Sequence, residues 1–347
     1  MYYSEFHNHK WARNLAHARN LWQSGNFEAL YRGEPLGDAD YFPGLRVMGA
    51  YWVSVEHEMP MRLMMLLKGA QRPDLTSQPA IAAQGKAFLE RYLDDMRELI
   101  TREGILPVEQ FEALVHKGLE TPADWAEKMH GWQQASEEAL AQNQFPQALF
   151  DDWLHSCLRS VANYNRFLIL GGVCAAALYK EGGEAALRAA IDATSEEFMW
   201  EISKAFYNTV LPAAGFEDIG DLMELGLRGM FSDQWYVSGA EREEGEITIR
   251  ESILKNCELA GIYHSVAEWN GLPKTSLGYG ICRYCEAHGE ATMMISMPPM
   301  VSPQYCRVVS LGMDDKACVF ELKTVPADDM ERILMVQERV FGAVDEE

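Results

Sequence analysis

Five of the seven cysteines in this 347-residue chain lie between Glu246 and Lys323, at Cys257, Cys282, Cys285, Cys306 and Cys318. His264 and His288 lie among them. Thiols are scarce elsewhere, so the segment 246–323 is where chemistry is to be sought. Cys282 and Cys285 form a C-x-x-C pair, with His288 close behind. Two thiols at that spacing can converge on one metal ion or form a redox pair. The metal set on offer is Cys282, Cys285, His288 and Cys257, with zinc and iron as the candidate ions and the cofactor left open. From Ser252 to Asn270 the run has helical periodicity, which puts Cys257, Gly261, His264 and Glu268 on one side, since steps of four, three and four residues return to the same face. The plain alternative is that the thiols are separate small core residues.

The elements that must position this segment are mostly helical. Trp11, Leu15 and Trp22 recur near helical spacing in an aromatic-rich start, and a loop rich in Gly, Pro and Asp runs from Gly33 to Gly44. A Met-rich apolar helix over 45–68 is interrupted by Pro60, which should kink it or start a new helix. From Ala80, the stripe Phe88, Leu89, Tyr92, Leu93, Met96, Leu99 and Ile100 defines an amphipathic helix. Short helices follow from Pro107 and from Thr121-Pro122, and the polar run 131–147 reads as the junction between a helical N-terminal region, 1–147, and a C-terminal α+β domain, 148–347. In that domain, 148–180 is buried helix ended by Gly182-Gly183, and 184–211 is one long amphipathic helix, with a shorter one over 218–231. Period-two alternation first appears at Ile247 and Ile249, and the runs 307–311 and 318–322 make a hairpin around GMDDKA. A last helix starts near Pro326. The expected class is mainly α with a small late antiparallel sheet.

The order of features in the C-terminal half carries a resemblance. Asn256-Cys257 sits on a helix, Gly271-Leu272-Pro273 forms a loop, and Cys282 stands three residues before a second ligand-type residue. A hairpin then ends in Gly312, five residues, Cys318, one residue and Phe320. This resembles the L-2-amino-thiazoline-4-carboxylate hydrolase-like family over about residues 161–325, including Gly182 to Leu187 at the start of the long helix. The hairpin ending is also similar to the 4-vinyl-reductase-type small-molecule-binding domain. Family members often have Asp where this chain has Cys285, which favours a metal site and weakens the transfer of hydrolase activity.

The resemblance implies ring opening of a cyclic amidine or thiazoline, with water added at the carbon between sulfur and nitrogen. That needs a nucleophile or activated water, an acid for the departing nitrogen, and charge stabilisation at the tetrahedral centre. Cys257 or Cys282 can attack as a thiolate if His264 or His288 lowers its pKa. Alternatively, Cys282, Cys285 and His288 with Cys257 or Cys318 can hold zinc that activates the water. Tyr263, Glu268, Tyr284 and Cys318 are the residues expected to line the ligand. Two other readings stay open: a small-molecule-sensing module without catalysis, and a Cys-ligated metal or redox enzyme.

Composition bounds the partners. With 52 acidic against 30 basic residues, the formal charge of -22 repels nucleic acid and anionic membrane surfaces. The most apolar window, 167–179, is too short for a bilayer core of roughly 30 Å at 1.5 Å per residue and reads as buried helix. An odd number of cysteines without a secretion signal fits a reducing cytoplasm. The expected partners are a small-molecule substrate or ligand and, for the assembly, a second copy of the chain. Glu56-His57-Glu58 is a candidate metal cluster whose ordinary reading is a hydrogen-bonded polar patch. The chain has no G-x-G-x-x-G, Walker loop, H-E-x-x-H or nucleophile-elbow serine.

Overall fold

Where apolar side chains recur at three and four residues, the chain forms helices that share one core. The computed structural model describes residues 5–36, 41–102, 104–105, 107–113, 125–205, 236–244, 247–254, 258–280, 282–285, 287, 304–310 and 318–324; over 5–12, 51–56 and most of the strands this is the backbone alone. The expected helical ends near 118, 121–124, 206–211 and 218–231, the hairpin turn 312–317 and the tail after Pro326 lie outside the described residues, as do Cys257 and His288.

Helix α1 (Glu5–Ser24) and α2 (Phe27–Arg32) lead into a two-residue-per-strand ribbon, β1 (Glu34–Pro35) and β2 (Tyr41–Phe42), inside what the sequence marks only as loop. Helix α3 (Gly44–Gly69) continues through Pro60 as one helix. Helix α4 (Pro79–Arg102) buries Phe88, Leu89, Tyr92, Met96, Leu99 and Ile100, the stripe its periodicity defines. Helix α5 (Trp125–Ala141) occupies most of the polar run, and it buries Trp132 and Met129 in the common core. Helix α6 (Gln147–Asp192) is the central element and packs most extensively on α3, then on α4. Its apolar stretch is long enough to cross a membrane by composition, yet 78% of that window is buried inside the protein.

At Gly183 the α6 backbone leaves helical geometry (φ 70°, ψ -169°), a conformation that glycine adopts without a Cβ penalty, so the glycine pair kinks the chain as its composition suggests. The single helix expected over 184–211 is instead two: α6 ends at Asp192 and α7 (Ser195–Ala205) follows a turn at Ala193-Thr194. Ile191 and Phe198 are both buried, so apolar spacing stays in phase across the break and conceals it. What breaks the helix is tertiary. The Thr194 hydroxyl donates to the Met65 carbonyl at 3.1 Å, while its own carbonyl accepts the Phe198 N–H at 2.8 Å.

The later strands form a four-stranded antiparallel sheet, order β3-β4-β6-β5, from β3 (Tyr236–Glu244), β4 (Ile247–Leu254), β5 (Gln304–Ser310) and β6 (Cys318–Thr324). The protein is thus mainly helical with a small antiparallel sheet. Strand β3 was not legible, because its acidic run 241–244 reads as solvated surface. Residues 252–254, expected in the helix, belong to β4: Ser252, Ile253 and Leu254 pair with Phe320, Val319 and Cys318. Helix α8 (Glu258–Trp269) therefore starts later than its periodicity suggests.

The closest helix contact is between α3 and α6. A Cβ on Gly69 would lie 1.8 Å from the Ala190 carbonyl oxygen, so only glycine lets the two backbones touch here. Three tryptophans act as core pegs with bonded indoles. Trp153 Nε1 donates to Leu45 O at 3.2 Å, Trp132 Nε1 to Leu149 O at 3.2 Å, and Trp22 Nε1 to Phe145 O at 2.8 Å. Met59 and Met65 fill the core, while Met64 faces solvent.

His57 follows Glu56 on α3, and burial pulls its pKa below the ordinary histidine value. The unfolded chain therefore binds a proton more readily than the folded one. His57 contributes stability that is complete above about pH 6.5, the unfolded value, and is lost as pH falls toward the lower folded pKa. Chemical denaturation from pH 7 to 5 should show falling stability, and His57→Gln should flatten that slope without changing the plateau at pH 7.

Candidate functional site

Two opposite charges on the apolar face of α3 supply the electrostatics. Glu58 and Arg62 stand one helical turn apart, both nearly fully buried, and Arg62 Nε donates to Glu58 Oε1 at 2.8 Å. Arg62 Nη2 donates to the same carboxylate and also to Cys285 Sγ, at 3.2 Å. Burial alone would pull the Arg62 pKa down; Cys285 and Glu58 outweigh it and hold the guanidinium above its ordinary value. The guanidinium also lies over the Phe198 ring of α7, 5.6 Å from its centroid. A cation fixed in this way, away from water, acts strongly on whatever atom it faces. That atom is a half-buried sulfur.

The turn that carries the sulfur is clamped on several sides. Cys282 to Cys285 form a helical turn after the loop Gly271-Leu272-Pro273. Tyr284 packs on Phe198 (centroids 4.9 Å apart), and its hydroxyl shares a hydrogen bond of 3.0 Å with the Thr194 hydroxyl. Arg283 lies 3.8 Å from the Asp192 carboxylate, which also accepts from the Tyr279 hydroxyl at 2.5 Å. Arg188 covers the Tyr279 ring at 4.0 Å. Two helix ends and a tyrosine ladder thus fix where Cys285 meets Arg62.

Tyr263 of α8 forms the floor. Its ring faces Gly171 and Gly172 of α6 and Gly280 of the turn, and a Cβ on Gly171 would lie 2.7 Å from the phenol oxygen. Burial raises its pKa, and the nearby sulfurs of Cys174 and Cys285 and the Tyr284 phenol raise it further, while Arg62 opposes them. Burial likewise pushes the Tyr284 phenol up to about 12, against the Thr194 bond and Arg62, and pushes the Cys174 thiol up to about 12. Both phenols and the Cys174 thiol therefore stay protonated at neutral pH, and the phenols are proton donors rather than bases. Gly171→Ala should displace Tyr263 at a cost of about 1–3 kcal/mol, the range for an overfilled core. Thermal unfolding checks the loss, and a shift in near-ultraviolet circular dichroism reports the moved ring.

The residues singled out by sequence fall out unevenly. Tyr263, Tyr284 and Cys285 converge around Arg62. Cys282 is buried, 2% exposed, on the same helical turn as Cys285. His264 is buried on α8, whereas Glu268, one turn on, is exposed. Cys318 opens β6 in register with Leu254. Of the four residues expected to hold a metal, Cys257 and His288 lie outside the described residues. Among the described residues no group of three or more His, Cys, Asp and Glu side chains has metal-binding geometry. The members of this cluster that spacing does not connect to the thiols are Arg62 and, as its partner, Glu58. The signal was present: opposite charges four apart in a stretch otherwise rich in Leu and Met.

A separate open cleft of about 700 Å³ lies between α1, residues 105–113 and the start of α6. Trp22, Phe150 and Leu154 line it, with Asp151 and His155 at its polar side. It is not formed by the cysteine turn. No family model matches the chain, and no curated protein or solved structure matches it significantly.

Proposed function

We propose that the chain is a thiol-dependent hydrolase of a small molecule, with Cys285 as the nucleophile. The observation that carries this reading is the 3.2 Å contact between Cys285 Sγ and a buried guanidinium that Glu58 locks in place. A fixed cation beside a partly exposed sulfur is the arrangement that favours thiolate over thiol. The resemblance of the C-terminal half supplies the substrate class, a cyclic amidine or thiazoline whose ring carbon is bonded to nitrogen and sulfur. In this scheme Cys285 Sγ adds to that carbon, the C=N electron pair moves onto nitrogen, and nitrogen takes a proton. Collapse expels a ring heteroatom, and water then cleaves the sulfur–carbon bond to Cys285 and restores the thiol.

A panel of 2-aminothiazolines and related cyclic amidines tests this directly, because ring opening at the sulfur releases a thiol that a chromogenic disulfide reports. Turnover should vanish in Cys285→Ser and persist in Cys174→Ser, whose thiol burial keeps protonated. Undiminished turnover in Cys285→Ser would remove the nucleophile from the scheme.

A further inference from the structure

Cys285 is followed backward through one helical turn to Cys282, and the two sulfurs differ sharply in setting. Cys285 is half-buried and faces Arg62, while Cys282 is 2% exposed and free. Residues three apart on a helical turn have Cβ atoms about 5–6 Å apart, close to disulfide reach after a small adjustment of the turn. A partly exposed sulfur beside a cation is the one suited to attack a hydroperoxide, and a nearby buried thiol is placed to resolve the product.

We propose that Cys282 and Cys285 form a reversible redox switch that turns the site off under hydroperoxide. It rests on the reading of Cys285 as the reactive thiol. In the first step the Cys285 thiolate attacks the hydroperoxide, the O–O bond breaks, Cys285 becomes a sulfenic acid and an alkoxide or hydroxide leaves. In the second, the Cys282 sulfur attacks the sulfenic sulfur, water leaves with the Cys282 proton, and the S–S bond forms. A dithiol reverses it by exchange. The bond removes the thiolate that faces Arg62 and seals the turn, so nucleophile and counter-charge are lost together.

The sequence makes the bond easy to see. Trypsin cleaves after Lys274, Arg283 and Arg307, so Cys282 and Cys285 fall in the peptides Thr275–Arg283 and Tyr284–Arg307. A bond between them joins the two peptides until reduction, and fragmentation separates Cys285 from Cys306. Full-length protein treated with hydrogen peroxide should give this joined pair, lose alkylation of Cys285 by iodoacetamide, and regain it with dithiothreitol. Cys282→Ser should instead accumulate a dimedone adduct on Cys285, and Cys285→Ser should form neither species. If wild type gives the dimedone adduct on Cys285 but never the joined pair, the switch is overturned while the reactive thiol stands. If Cys285 yields neither adduct nor bond and resists alkylation at neutral pH, both readings fall.

Discussion

Arg62→Met should destabilise the protein by about 3–5 kcal/mol, the range for breaking a buried ion pair from one side. The size follows from what remains: Glu58 stays in the core with its Arg62 partner gone. Cys285 loses its donor at the same time. The second variant, Glu58→Gln with Arg62→Met, separates these effects. Removing both charges should recover much of the stability, since no uncompensated charge is then left in the core. It should not recover the chemistry. Alkylation of Cys285 at pH 7 should be slow in both variants and approach the wild-type rate only as pH rises past the ordinary thiol value of about 8.5. Denaturant melts give the first quantity and a pH series of iodoacetamide rates the second. A double variant that alkylates like wild type at pH 7 would show that the guanidinium does not govern the sulfur.

Gly69→Ala should be the most damaging single methyl in the helical core. The added carbon would meet the Ala190 carbonyl at 1.8 Å and the Thr194 methyl at 3.3 Å. Backbone cannot rotate away as a side chain does, so α3 and α6 must separate. Overpacking costs about 1–3 kcal/mol in general, and a backbone collision belongs at the top of that range. The displacement also has a direction. Thr194 bonds both Met65 and Tyr284, so moving it loosens the turn that holds Cys285. Thermal unfolding should show the loss, and Cys285 alkylation should slow in the folded fraction. Gly271→Ala is the control, with a strained φ of 69° but nothing within 4 Å of the new carbon; it should cost about 1 kcal/mol and leave alkylation unchanged.

The helical class, the α4 stripe, the strand at Ile247 and the strand expected over 318–322 were legible because period alone decides them. The break at Thr194 was not, since Thr194 bonds Met65, 129 positions away along the chain, and Tyr284, 90 positions away. The extent of β4 was ambiguous for a related reason: Ile253 and Leu254 suit a strand and a helix equally, and pairing with β6 decides. The candidate site was legible in half. Local cysteine density points at the 282–285 turn, and sequence proximity offers only histidines as the groups that set thiol reactivity. Among the described residues the charge beside Cys285 is that of Arg62, on a helix that local spacing cannot connect to it, and His288 lies outside them. Glu58 matches the ordinary reading of its cluster, a buried polar group with its hydrogen bonds satisfied, here by Arg62.

The Arg62 to Cys285 contact closes a span of 223 residues. While the chain is being synthesised, the arginine emerges first and the sulfur much later, so Cys285 lacks this cation until the 282–285 turn docks on α3. On the proposed reading, its extra reactivity at pH 7 is then a sign of completed assembly, and a fragment starting at 148 would carry the sulfur as an ordinary thiol. The alkylation of Cys285 relative to the other six cysteines at pH 7 would thus follow assembly.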